Sequence, residues 1–110
     1  MAVKTALDNL YDKISANPQG ITGLQAVYQF NVTGEPAAVY QIKFDNNKVV
    51  LTAQEEFTPG CTLSISEKNL LKLIEGTLNP TTSYMFGKLK IKGDLSLAMK
   101  LQGVLQRYSS

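Results

Sequence analysis

The hydrophobic positions change period along the chain, and each change marks an element. Val3, Leu7, Leu10, Tyr11 and Ile14 recur at helical spacing, with Thr5, Asp8, Asn9, Asp12 and Lys13 off that stripe. An amphipathic helix is therefore predicted from about Val3 to Ala16, ended by Asn17-Pro18-Gln19-Gly20. From Gln25 the period becomes two. Ala26, Tyr28, Phe30 and Val32 alternate with Val27, Gln29 and Asn31. After the turn chemistry of Thr33-Gly34-Glu35-Pro36, Tyr40, Ile42 and Phe44 alternate with Gln41 and Lys43. Asp45-Asn46-Asn47 suits the positive φ values of a tight hairpin, and Lys48 to Thr52 is a third strand. Connections this short make the three strands an antiparallel meander.

Beyond a loop from Glu55 to Gly60, Cys61, Leu63 and Ile65 point inward from a fourth strand. Ser66 caps a helix whose apolar residues are Leu70, Leu71, Leu73 and Ile74, and Gly76 ends it. Asn79-Pro80 starts a short helix that carries Tyr84, Met85 and Phe86 and stops at Gly87. Lys88-Leu89-Lys90-Ile91-Lys92 alternates strictly, as a fifth strand, and Gly93-Asp94 breaks it and caps a last helix from Leu95 to about Arg107. In that helix Leu97, Ala98, Leu101, Val104 and Leu105 share one arc, and Leu95 and Met99 widen it. The apolar arc spans roughly 220°, against about 100° for an ordinary core-facing stripe. Only Ser96, Lys100, Gly103 and Arg107 form a clear opposite face. Either this helix packs on two sides or part of it faces something other than protein. The element order predicts one α+β domain over residues 1–110, a mainly antiparallel five-stranded sheet with helices on one face.

Composition narrows the chemistry. The chain of 110 residues is 44% hydrophobic, enough for a core of its own. It has no histidine and one cysteine, Cys61, so Ser–His and Cys–His nucleophiles, zinc-type sites and internal disulfides are excluded. One cysteine fits a reducing compartment. No phosphate loop or dinucleotide glycine fingerprint is present. Cys61 is expected to belong with inward Leu63 and Ile65 as a small hydrophobe, and the Asn31-Val32-Thr33 sequon is expected to go unused, because the stretch before it does not read as a secretory leader. The pair Glu55-Glu56 is expected to be solvated loop charge. No catalytic residue, metal or cofactor is expected, and the formal charge of +2 is too small to argue for nucleic acid. Charge is uneven, however. Residues 86–110 hold five cations against Asp94, a net +4, whereas residues 1–85 hold six lysines against eight acids, a net −2. The basic end suits an anionic surface or a phosphate-bearing ligand, or is simply solvated.

Read from the residues alone, the apolar surface of the sheet and helices is open to two interpretations, a filled core or a cavity for one lipid. Here a resemblance adds information. Asn79-Pro80, Gly87-Lys88-Leu89-Lys90-Ile91, Gly93 and Leu97-Ala98-Met99-Lys100-Leu101-Gln102 resemble, in order and spacing, the sterol carrier protein type 2 domain family over roughly residues 57–105. The resemblance implies an intracellular lipid carrier, not an enzyme, in which about four to five helices cover one sheet face, the last strand lies beside the fourth and an apolar tunnel holds a fatty acid, acyl-CoA, sterol or phospholipid. Its walls would be Tyr28, Phe30, Ile42, Leu63, Ile65, Leu70, Leu71, Ile74, Tyr84, Met85, Phe86, Leu89, Ile91, Leu97, Leu101 and Leu105. The C-terminal helix would be the lid and the membrane contact, with Lys88, Lys90, Lys100 and Arg107 meeting headgroups. A monomer is expected, in the cytoplasm or the peroxisome; the ending Tyr108-Ser109-Ser110 is not the family's common peroxisomal tripeptide. The competing expectation is a protein–protein or dimerisation module, an accessory domain of a larger enzyme, with a filled core.

Overall fold

In a computed structural model, which describes residues 2–34 and 37–109, helix α1 (Ala2–Ala16) and a 3-10 turn (Pro18–Ile21) precede the meander β1 (Ala26–Thr33), β2 (Ala38–Asp45) and β3 (Lys48–Thr52). Strand β4 (Cys61–Ser66), helices α2 (Glu67–Ile74) and α3 (Pro80–Met85), strand β5 (Lys90–Gly93) and helix α4 (Leu95–Arg107) follow. Local chemistry explains most boundaries. Asn46 and Asn47 take φ of 55° and 60°, which makes the two-residue β2–β3 hairpin. Ser66, Asn79 and Asp94 each accept a backbone N–H of the helix that follows, from Asn69, Thr82 and Ser96. Of the expected turn at 33–36, Glu35 and Pro36 lie outside the described residues.

The sheet order is β3-β2-β1-β4-β5. β1 pairs β4 in parallel and the other pairings are antiparallel, so the sheet is mainly antiparallel, and β5 lies beside β4. The parallel pair obliges the β3–β4 connection to run back across the sheet, and this changes the sheet's outer face. Gln29 and Gln41, which alternate with the inward aromatic positions, are 6% and 0% exposed. The crossing loop covers them. Gln41 Nε2 donates to the Phe57 carbonyl and to Gln29 Oε1, both at 2.9 Å, and Gln41 Oε1 accepts the N–H groups of Glu56 and Phe57. Gln29 Nε2 donates to Glu55 Oε1 at 3.0 Å, so Glu55 is more than the solvated charge expected of it. Every polar atom of Gln41 that is buried has a partner, which removes the cost of burying an amide.

Helices α1, α2 and α4 pack on the inner face, and α3 packs against α4. Inward residues of neighbouring strands lie in rows, Leu51–Ile42–Tyr28–Cys61 and Tyr40–Phe30–Leu63–Ile91. Against them pack Val3, Leu7, Leu10 and Ile14 of α1, Leu70, Leu73 and Ile74 of α2, and Ala98, Leu101, Val104 and Leu105 of α4. The Tyr28 and Phe44 rings meet edge-on at 5.9 Å. Tyr11, placed on the apolar stripe by its spacing, is instead 39% exposed, because it stands at the stripe's margin. Strand β5 begins at Lys90 rather than Lys88. Gly93, φ 95°, closes it where a Cβ would overlap the Gly60 carbonyl oxygen, so this position requires glycine twice over.

Candidate functional site

The residues expected to wall a tunnel divide into three groups. Tyr28, Phe30, Ile42, Leu63, Ile65, Leu70, Ile74, Leu89, Leu101 and Leu105 are buried and form the packed core between sheet and helices. Leu71, Ile91 and Leu97 are partly buried against it. Tyr84, Met85 and Phe86 are not inside at all; they are 41%, 77% and 75% exposed. Geometry explains this correction. Helix α3 has six residues, and its inward stripe is Pro80 and Ser83, one turn apart and both buried. The three residues that follow Ser83 turn outward, and Leu89 takes the core position instead. Their apolar character was legible in the sequence, but their direction was not.

The four cations also divide. Lys100 and Arg107 lie seven residues apart on α4 and border one cleft of about 280 Å3, with Ile21, Thr22, Leu24 and Val104 around it. Ile21 and Val104 belong to the core, so this cleft joins apolar interior to charged rim. Three glycines, Gly20, Gly23 and Gly103, keep its walls low. Lys88 borders a different cleft with Asn69, Lys72 and Thr82, and Lys90 stands exposed on edge strand β5. Sequence reasoning did not assign Ile21 or Leu24 to a site, and named Gly103 only as part of the polar face of α4. The available signal was Gly103 itself, a mid-helix glycine that costs about 1 kcal/mol relative to alanine.

The C-terminal end of α4 is clasped to the turn beside that cleft. Tyr108 is buried, its hydroxyl donates to the Asn17 carbonyl at 2.5 Å and accepts the Gly20 N–H at 3.0 Å. Arg107 Nη1 donates to the Gly20 carbonyl at 2.6 Å, and Lys13 Nζ donates to the Tyr108 carbonyl at 3.1 Å. A Cβ at Gly20 would overlap the Tyr108 ring, so the clasp depends on glycine. Further along, the Tyr28 hydroxyl donates from the sheet to the Leu97 carbonyl of α4 at 2.7 Å.

Electrostatics keep the interior neutral. Burial, then the nearby Cys61 and Asp94, push the Tyr28 hydroxyl well above its ordinary range. Burial, then the charge of Asp94, pushes the Cys61 thiol up to about 11, so it stays protonated and is a poor nucleophile at neutral pH. The Ser96 hydroxyl bonded to Asp94 holds that carboxyl below its usual range. Among the described residues no group of three His, Cys, Asp or Glu could hold a metal ion. No described helix is long and apolar enough to cross a membrane.

Residues 4–106 match the family model described as the SCP-2 sterol transfer family. Hydroxysteroid dehydrogenase-like protein 2 of Xenopus laevis is 34% identical over 92 residues, 83% of this chain and 22% of that protein. The chain thus spans about a fifth of the length of such curated relatives. Among solved structures, the sterol carrier protein domain 2 of Helicoverpa armigera superposes with a TM-score of 0.76 at 27% identity, covering 96% of this chain and 86% of that one. The palmitated SCP2L2 of Aedes aegypti gives 0.70 at 24% identity, covering 96% and 95%.

Proposed function

We propose, for a chain that belongs to the SCP-2 sterol transfer family, that it is a non-catalytic carrier of one lipid, a fatty acid, acyl-CoA or sterol-like molecule, which it delivers to membrane surfaces. The observation that carries this reading is the cleft in which Lys100 and Arg107 stand beside Ile21 and Val104. An anionic headgroup held at the rim places its tail toward the core between the sheet and α4. The palmitate of the Aedes aegypti relative supports a single-chain acid as the ligand class.

The energetics favour loose selectivity. An apolar tail leaving water gains about 25 cal/mol per Å2. One methylene more or less is worth only about 1–3 kcal/mol, so chain length is weakly discriminated. Space for the tail requires core side chains such as Leu101 and Leu105 to part from Tyr28 and Leu63, and α4 is the lid that does this. Because its C-terminal end is clasped at Tyr108, the lid opens at its Leu95 end, where the Tyr28–Leu97 and Asp94–Gly60 hydrogen bonds must part. The native compartment is the cytoplasm or the peroxisome in this reading.

The test pairs two ligands of equal tail. Lys100→Gln is expected to weaken palmitate binding about tenfold, as loss of one charge-assisted contact, and to leave the matching fatty alcohol unaffected. Displacement of a fluorescent fatty acid measures both. Equal loss for acid and alcohol, or no loss for either, sinks the headgroup assignment. Native mass spectrometry with no lipid at all sinks the carrier.

A further inference from the structure

We propose that the cleft between α2 and α3 is a binding site for a phosphate group, separate from the cleft at Lys100 and Arg107 and independent of the carrier reading. It holds about 240 Å3 and lies between Asn69 and Lys72 of α2, Thr82 and Ser83 of α3, and Lys88. Hydrogen bonds to the backbone fix its frame. Asn69 and Lys72, three residues apart, share one face of α2. Gly87, φ 73°, ends α3 in a turn where its own N–H donates to the Tyr84 carbonyl and the Lys88 N–H donates to the Ser83 carbonyl at 2.8 Å. That turn brings Lys88 back beside Ser83. On the other side, the Thr77 N–H and hydroxyl both donate to the Lys72 carbonyl, at 2.9 and 3.1 Å.

The frame is bonded, but the polar heads that line the cleft are not. Ser83 is only 8% exposed, yet its hydroxyl makes no hydrogen bond among the described residues. No fully enclosed side-chain nitrogen or oxygen of the described residues lacks a partner, so the Ser83 hydroxyl opens into the cleft that it lines. A buried hydroxyl ordinarily has a partner, and the cleft is where one can stand. The Lys72 and Lys88 ammonium groups likewise have no carboxylate partner among the described residues, and no described carboxylate borders the cleft. The Thr82 N–H is already taken by Asn79 Oδ1, so the free donors are side chains. Charge and size choose the occupant. Two ammonium groups match the charge of about −1.5 to −2 on a phosphate monoester, whose oxygens accept from both lysines and from the Ser83 hydroxyl. A single carboxylate would neutralise one lysine of the two. The volume lies below the about 300–1,000 Å3 of pockets that enclose a drug-sized ligand, so the cleft takes the phosphate and a short remainder. Leu78 is the one apolar residue on its described lining, which does not suit an acyl chain.

The experiment is an NMR titration of the protein with sn-glycerol 3-phosphate, with glycerol as the uncharged control. Glycerol 3-phosphate is expected to move the amide signals of Ser83 and Lys88 in a saturable way, and glycerol to leave them in place. Ser83→Ala, Lys72→Gln and Lys88→Gln are each expected to weaken binding about tenfold, through loss of one charge-assisted hydrogen bond. Lys68→Gln, exposed on α2 outside the cleft, is expected to leave it unchanged. Ser83→Ala is the critical variant. Its hydroxyl bonds nothing in the described fold, so the Tm without ligand should hold within about 3 °C, and lost binding is then not lost folding. Undiminished binding by Ser83→Ala and by both lysine variants overturns the site, as does a wild type whose signals ignore glycerol 3-phosphate. Equal weakening by Lys68→Gln would mean diffuse charge attraction and overturns it too. Phosphatidic acid vesicles that displace glycerol 3-phosphate assign the phosphate to a lipid headgroup, and vesicles that do not assign it to a soluble ester; both keep the site. Ser83→Ala is expected to hold palmitate as the wild type does, so failure of this site and failure of the carrier reading are read separately.

Discussion

The two ends of α4 are held in opposite ways. At its C-terminal end, Tyr108, Arg107 and Lys13 join the helix to the turn at Asn17–Gly20 through side chain–backbone hydrogen bonds. At its N-terminal end, Asp94 caps the helix through the Ser96 N–H and donates its own N–H to the Gly60 carbonyl at 3.0 Å, while Leu95 and Met99 lie open. The Tyr28–Leu97 bond lies near this same end and ties it to the sheet. The difference teaches that the wide apolar arc serves two purposes at two positions: Ala98, Leu101 and Leu105 complete the core, while Leu95 and Met99 face outward beside α3.

Breaking the secure end should cost most. Tyr108→Ala removes a buried ring and the hydroxyl that serves both Asn17 and Gly20, and a loss of about 3–5 kcal/mol in chemical denaturation is expected; a loss below about 1 kcal/mol would show that the clasp is incidental. Loosening the Tyr28–Leu97 bond should cost less. Tyr28→Phe removes only the hydroxyl's bond to the Leu97 carbonyl and is expected to cost about 1 kcal/mol. The same variant sharpens the contrast through pH. The folded state holds the Tyr28 proton more tightly than the unfolded chain does, so this group's stabilisation is whole below about pH 10 and declines as pH rises further. Tyr28→Phe should remove that part of the alkaline decline and keep the part due to Cys61, which falls between about 9 and about 11. Melting temperatures across that range decide it. The open end should cost least. Met99→Gln is expected to change stability by less than about 0.5 kcal/mol; a larger loss would mean that Met99 packs against the fold after all.

Much of this was legible before any coordinates. The meander, the Asn46–Asn47 hairpin and the caps at Ser66, Asn79 and Asp94 each depend on residues within a few positions of one another. Buried strand positions were legible from period two, down to Cys61. Lys88, Lys90, Lys100 and Arg107 were all expected to meet headgroups, and spacing cannot separate Lys100 and Arg107, which border one cleft, from Lys88 and Lys90, which do not.

What the sequence determined by itself is the set of elements and the inward side of most of them, because caps, turns and periodicity are short-range properties of the chain. The tertiary structure decided the rest. The parallel β1–β4 pairing sent a loop over Gln29 and Gln41 and turned a wet face into a bonded one. The docking of Pro80 and Ser83 sent Tyr84, Met85 and Phe86 outward. The meeting of α4 with a turn 87 residues earlier joined Arg107 to Gly20. In each case the deciding neighbour lies far away in sequence. Whether a side chain meets water, a carbonyl or an apolar wall depends on that neighbour, and no local pattern encodes it.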